Sequence, residues 1–145
     1  MPLRCLAVAI SAAVLSTAVQ AQTRWQPRPE PGLWRDQRHA LIDQHPQLAE
    51  RWHFIDAQIT DSRRVAEYLR QRRPSADGSV HFEALLMLRR GSDPWVERSL
   101  PNRALCQEGE LQRLDSDQQW ETYPSRPGSA DRVAWICSAL ERNQP

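Results

Sequence analysis

The chain has 145 residues, which suits one domain preceded by a targeting segment. Its 19 basic residues, all of them arginine, nearly balance 18 acidic residues and give a formal net charge of +1 at pH 7. This balance argues against a general nucleic-acid-binding protein, because such proteins carry a strong basic excess.

The first 21 residues have the pattern of a signal peptide. Arg4 precedes an apolar run over residues 6–19, and Val19-Gln20-Ala21 supplies the small residues of a cleavage site. A retained membrane anchor is the alternative, but the run is shorter than the ~20 residues of a span and no basic flank follows it. We expect cleavage after Ala21, export to the periplasm or the medium, and no membrane span in the mature chain.

Residues 22–50 are predicted to form a proline-rich leader and an irregular N-terminal segment. Prolines alternate with charged residues over 22–35. Proline fixes φ and lacks an amide donor, so this part should be extended and polyproline-like. It is a spacer or, alternatively, a ligand for a partner protein. Ala40, Leu41 and Ile42 allow only a short helical turn before Pro46.

The folded domain is predicted over residues 51–142 and begins with a strand, a helix and a second strand. Residues 51–60 are aromatic and β-branched, which is typical of a strand. Val65, Tyr68 and Leu69 then fall at i, i+3 and i+4, which predicts one face of a helix ending at Pro74. After a turn, residues 79–91 alternate regularly with one fully apolar face and predict a central strand beside a helix.

Shorter strands and a terminal helix are predicted for the remainder. Residues 95–100 and 102–107 resemble strand pieces broken by Pro101, and residues 109–117 another strand. The last segment, residues 129–143, predicts a helix with one stripe formed by Val133, Ile136, Cys137 and Leu140.

Cleavage of the signal peptide would leave two cysteines, Cys106 and Cys137. In an exported protein an even count predicts a disulfide, although two buried free thiols are the alternative. The bridge would close a loop of about 30 residues and contribute roughly 3–4 kcal/mol. The predicted fold class is α+β: an antiparallel sheet with a C-terminal helix packed across it and tethered by one disulfide.

Four segments together resemble the surface-adhesin protein E family of small exported bacterial proteins. They are "HFID", "VHFEALLMLRR", "ERSLPNRALCQEGELQRL" and "ADRVAWICSAL". The resemblance implies an adhesin-E-like α+β domain that acts as a non-enzymatic binding module, with a host matrix protein or an anionic or glycan ligand as its partner. An alternative function is a soluble periplasmic accessory or envelope protein with no external ligand.

Motifs for catalysis are absent from the sequence, which contains no G-x-S-x-G, no H-E-x-x-H and no phosphate-binding glycine loop. His39, Asp43 and His45 are close in sequence, but their spacing matches no metal motif. We therefore predict no enzyme activity, no catalytic residue, no metal site and no cofactor. Convergence of His39, Asp43 and His53 in one pocket would favour an enzyme.

An unusual concentration of positive charge supplies the candidate ligand patch. Five arginines fall within eleven residues: Arg63, Arg64, Arg70, Arg72 and Arg73. On the predicted helix several would share the solvent face and could bind sulfated glycans, anionic lipid headgroups or phosphate. The alternative is an ordinary solvated face, which charge runs often form.

Overall fold

The computed structural model describes residues 25–138, so the predicted signal peptide at residues 1–21 and the end of the predicted terminal helix lie outside the described residues. The elements are helix α1, Gly32–Ala40; a short 3-10 helix, Pro46–Ala49; strands β1, His53–Ile59, β2, Arg63–Pro74, β3, Val80–Arg90, β4, Val96–Leu105, β5, Glu110–Leu114, and β6, Trp120–Thr122; and helix α2, Ser129–Ser138. None of the described helices is long and apolar enough to cross a membrane.

The six strands form one antiparallel sheet in the order β1-β2-β3-β4-β5-β6, so every strand pairs with its sequence neighbours. β3 lies inside the sheet and is covered on both faces for much of its length. This position agrees with the regular alternation of its side chains. Leu85 and Met87 are fully buried on one face, and Val80 and Phe82 are buried on the other. The predicted central strand is therefore confirmed.

Each face of the sheet carries its own hydrophobic cluster. On the first face, here called the α1 face, α1 and the 3-10 helix pack through Trp34, Leu41 and Leu48. On the opposite face, the α2 face, α2 packs through Val133 and Ile136. The sheet residues beneath α1 are Phe54, Ala66, Tyr68, Leu85 and Met87, and those beneath α2 are Ile55, Leu69, Val80, Phe82 and Ala104.

The helix predicted between residue 61 and Pro74 is wrong, because this segment is strand β2. A strand between two others buries side chains on both faces and so carries apolar residues at consecutive positions. Ala66 and Tyr68 face α1, whereas Val65 and Leu69 face the other way, and together they imitate helical spacing. The turn after Pro74, in which Gly78 adopts φ +81°, joins β2 and β3 as a hairpin.

The segment from residue 25 to 50 is more ordered than the sequence indicated. Residues 25–31 have no regular secondary structure, but α1 begins at Gly32, inside the range predicted to be extended. Trp34 is only 4% exposed and Leu48 is completely buried, so hydrophobic burial fixes this segment against the sheet. The Arg38 guanidinium adds an ion pair to Glu30 at 2.8 Å.

Two predictions about the later strands also need correction. Pro101 does not break the chain into two strands but lies within the continuous strand β4. Pairing of β4 with β5 starts only at Asn102, so Pro101 has a neighbouring strand on one side alone, a position where its missing amide is tolerated. The three-residue edge strand β6, Trp120–Thr122, was not predicted.

The C-terminal helix and the disulfide agree with the sequence prediction. The Cys106 and Cys137 sulfurs are 2.03 Å apart, which joins the residue after β4 to the last turn of α2. Val133 and Ile136 are nearly inaccessible, and the Trp135 ring packs against the Arg72 guanidinium at 4.1 Å. The protein therefore has the predicted α+β fold, with an antiparallel sheet tethered to a C-terminal helix.

Candidate functional site

The five predicted patch arginines do not form one surface. Arg63 and Arg64 open β2, whereas Arg70, Arg72 and Arg73 lie near its other end. A strand rises about 3.3 Å per residue, so Arg64 and Arg70 are separated by roughly 20 Å along the sheet. The structure thus divides the predicted patch into two groups with different surroundings.

Arg70 and Arg72 hold elements of the fold together. The Arg70 Nε donates to the Glu83 carboxylate at 2.6 Å, its Nη1 pairs with Glu50, and its guanidinium stacks on Trp52 at 4.3 Å. The hydrogen bond to Glu83 raises the pKa of Arg70 despite partial burial. Burial lowers the pKa of Arg72, whose guanidinium covers the α2 tryptophan. Arg73 alone of this group is exposed.

Arg63 and Arg64 instead join two arginines that the sequence reasoning had not selected. In the β2–β3 register Arg63 faces Arg90 and Arg64 faces Arg89. We call these four residues the arginine end. They lie at the end of the sheet where residues 60–62 connect β1 to β2 and residues 91–95 connect β3 to β4. Within residues 25–138, no carboxylate oxygen comes within 4.0 Å of their guanidinium groups.

The arginine end also borders a cleft on the α1 face. The cleft encloses about 410 Å³ between the turn at residues 60–62, Arg64 and Arg89. The Nε of Arg89 is buried there and has no hydrogen-bond partner among the described residues. A buried donor of this kind loses its hydration without replacement, which makes it a ready contact for an anionic acceptor.

On the α2 face, an apolar groove begins at the arginine end, because α2 covers only the opposite part of this face. Val65 on β2, Leu88 on β3 and Val96 on β4 lie side by side in one row of the sheet. Leu86 belongs to the next row, between Glu67 and Arg98. Val96 remains 50% exposed, and Leu86 and Leu88 are only partly buried. These residues form the floor of what we call the α2-face groove.

The α2-face groove encloses about 290 Å³ and continues towards α2 as a smaller cavity of about 90 Å³. Glu67, Leu86 and Arg126 line both parts, so the two spaces adjoin each other. The inner part is lined by apolar side chains, among them Phe82, Leu100 and Ile136, and by the polar side chains of Asn102, Tyr123, Ser129 and Arg132. The inner part is therefore more apolar than the mouth.

The rim of the α2-face groove is electropositive. Its lining includes four arginines, namely Arg63, Arg90, Arg98 and Arg126, and two carboxylates, Asp56 and Glu67. Arg132 reaches both carboxylates, at 3.4 Å to Asp56 and 3.8 Å to Glu67. Among the residues described, the four rim arginines have no carboxylate within 4.0 Å. An anionic group entering the mouth thus meets cations that are not already paired.

The sequence contained a usable signal for part of this site. "SADG" is turn chemistry, and a hairpin centred there pairs Arg63-Arg64 with Arg89-Arg90. The signal was hidden because residues 61–73 were interpreted as helical. Arg98 and Arg126 reach the groove only through the β3–β4 register and the loop before α2, which no local pattern specifies.

His39 and His53, whose convergence in one pocket would favour an enzyme, lie on opposite sides of the sheet. His39 lies on α1, whereas the His53 ring contacts Trp135 of α2 at a centroid distance of 5.8 Å, on the opposite side of the sheet. Within the described part of the chain, no group of three or more His, Cys, Asp or Glu side chains is arranged to hold a metal ion. Burial lowers the pKa of His53, and the charges of Arg72 and Arg51 act in the same direction.

No protein family model, no curated protein and no solved structure matches this chain.

Proposed function

We propose that this chain is an exported, non-enzymatic binding module that holds an anionic ligand at the arginine end and the adjoining mouth of the α2-face groove. One observation carries the proposal: two arginine pairs lie opposite each other across β2 and β3, one pair on each face of the sheet, with no carboxylate within 4.0 Å among the described residues.

Such an arrangement opposes folding, because like charges directly opposite on paired strands are destabilising by about 0.2–1 kcal/mol. The chain has nearly as many carboxylates as arginines, and several arginines elsewhere are paired. Arg38 pairs with Glu30, Arg70 with Glu83, and Arg113 with Glu121. The unneutralised arginines are thus concentrated where a cleft and a groove meet, as expected of a surface kept for a ligand.

The chemistry of the lining favours binding over catalysis. Guanidinium groups are always protonated and donate in a planar fork that fits carboxylate, sulfate and phosphate. Aliphatic side chains add only apolar contact. The two carboxylates in the groove, Asp56 and Glu67, are held by Arg132. The resemblance to surface-adhesin protein E supports the same class of function, with a sulfated glycan or an acidic segment of a matrix protein as the partner.

Chromatography on immobilised dextran sulfate tests anion binding by residues 22–145. The test variant changes Arg63, Arg64, Arg89 and Arg90 to Gln. A matched control changes four exposed arginines elsewhere, Arg28, Arg35, Arg51 and Arg73, and so has the same net charge. We expect the control to elute near the wild type and the arginine-end variant to elute at clearly lower salt. Equal shifts in both variants would mean that net charge alone governs retention and would refute the proposed site.

Export requires a separate test. External protease applied to intact cells should remove the protein if it acts at the surface. Protection until the outer envelope is opened would instead favour the periplasmic accessory role. An unprocessed N-terminus, found by mass spectrometry of the protein from cells, would refute cleavage after Ala21.

A further inference from the structure

We infer that the α2-face groove binds an anionic amphiphile, with a single unbranched apolar chain along the groove floor and a carboxylate or phosphate head among the arginines at its mouth. This inference rests on the proposed function and names the class of ligand. It follows from the combination of a partly uncovered apolar floor with unpaired guanidinium groups concentrated at the groove mouth.

The groove has an apolar floor that is only partly covered by the rest of the protein. Strands β2 and β3 are covered on the α1 face, where Ala66, Leu85 and Met87 are fully buried. On the α2 face, the same strands leave Leu86 and Leu88 only partly covered. Apolar surface in water is unfavourable in proportion to its area, so an apolar chain on this floor would be stabilised.

The shape of the groove selects the kind of occupant. Along β3 the two adjoining spaces extend from Phe82 in the inner part to Arg90 at the mouth, a distance of about 26 Å for eight residues. Its floor is three strands wide, which corresponds to about 10 Å between the outer two strands. A stable protein interface needs about 800 Å² on each partner, more than this narrow floor presents. A single extended chain fits it better than a folded partner does.

The arginines at the mouth determine the orientation of the ligand in the groove. Arg63, Arg90 and Arg98 surround the mouth, so an anionic head can accept hydrogen bonds from guanidinium groups there. In the inner part, Phe82 and Ile136 have no group to offer an anion, Arg132 is already paired with Asp56 and Glu67, and the Asn102 amide donates to the Tyr123 hydroxyl. The head therefore lies at the arginine end and the chain points towards α2.

Calorimetric titration of residues 22–145 with dodecanoate and with dodecyl phosphate, both below their micellar concentrations, tests the inference and separates the two head groups. Dodecan-1-ol and dodecyltrimethylammonium keep the chain but remove or reverse the charge, and butyrate keeps the head with a short chain. We expect at least tenfold weaker binding of all three comparison compounds. Equal affinity for dodecanoate and dodecyltrimethylammonium would overturn the inference.

Val96→Glu places a carboxylate at the groove mouth and should weaken dodecanoate binding at least tenfold. Its matched control is Leu33→Glu, since Leu33 is 57% exposed on α1, on the other side of the sheet, and Val96 is 50% exposed. Equal loss in both variants would mean that the amphiphile binds elsewhere. Arg98→Gln, with Arg73→Gln as its control, repeats the comparison should Val96→Glu fail to fold.

The two proposals can fail separately. If no dodecyl anion binds but retention on dextran sulfate still depends on the arginine end, the amphiphile inference is wrong and the proposed function remains supported. If neither retention on dextran sulfate nor binding of the dodecyl anions depends on the arginines, both proposals are wrong.

Discussion

The Cys106–Cys137 disulfide should supply a large part of the stability of this domain. The two cysteines are 31 residues apart in sequence. In the chain-entropy model, closing such a loop lowers the entropy of the unfolded chain by about 12 cal/mol/K, or about 3.7 kcal/mol at 25 °C. Small domains unfold with only about 5–15 kcal/mol, so replacing both cysteines by alanine should remove between a quarter and three quarters of the total.

Besides the disulfide, helix α2 is held to the sheet by side-chain contacts. Val133 and Ile136 are buried, Trp135 packs against Arg72 and His53, and Arg132 pairs with Asp56 and Glu67. Because α2 takes no part in the hydrogen-bonded strand ladders, we expect the cysteine-free variant to keep its sheet and to open α2 first.

Urea denaturation followed by tryptophan fluorescence measures the loss directly. A loss of 3–4 kcal/mol corresponds to a fall of about 15 °C in Tm for a domain of this size. Wild-type protein treated with a reductant serves as the control and should behave like the variant. Hydrogen exchange should show the greatest loss of protection in α2 and a smaller loss in β3. An unchanged urea midpoint after removal of both cysteines would refute the reasoning.

Three further predictions concern stability. Leu48→Ala should lower the free energy of unfolding by about 2–5 kcal/mol, because the side chain is completely buried; a urea midpoint within error of the wild type would contradict its place in the core. Burial raises the pKa of Glu30, but the hydrogen bonds and charge of Arg38 outweigh burial and hold this pKa below 4.5. The Arg38–Glu30 pair should therefore stabilise the fold above pH 4.5. This stabilisation should be lost as the pH falls through the lowered pKa. In urea titrations at several pH values, Glu30→Gln should flatten this acid dependence, and an unaltered profile would exclude the pair as its source. Arg64→Gln should raise the free energy of unfolding by about 0.2–1 kcal/mol at low salt by removing repulsion from Arg89, a gain that added salt should erase; destabilisation would contradict the like-charge argument.

The sequence was sufficient for elements whose local pattern and tertiary environment agree. β3 alternates over its whole length, and α2 has an apolar stripe of helical period, so both were predicted correctly. β2 was not, because burial on both faces places apolar residues next to one another, and its Ala, Glu, Leu, Arg and Gln content favours helix in isolation. Pairing with two neighbouring strands outweighed that local preference.

The site was less predictable than the fold. Arg63 and Arg64 were selected from their sequence density, but the strand register, not that density, places Arg63 beside Arg90 on the α2 face and Arg64 beside Arg89 on the α1 face. The groove floor combines side chains from three strands, and the loop before α2 completes its rim. Such a surface depends on which residues face one another, and that information resides in the turns and the register.

The order of the strands has a consequence for how this chain reaches its final state. Because each strand pairs only with its sequence neighbours, every ladder in the sheet closes over a short loop, a topology that favours fast folding. All six strands are complete by Thr122, before α2 begins at Ser129. We therefore expect Cys106 to reach its final place at the end of β4 before the segment that carries Cys137 docks. Formation of the disulfide should accordingly report the docking of α2, the last step of folding, rather than the assembly of the sheet.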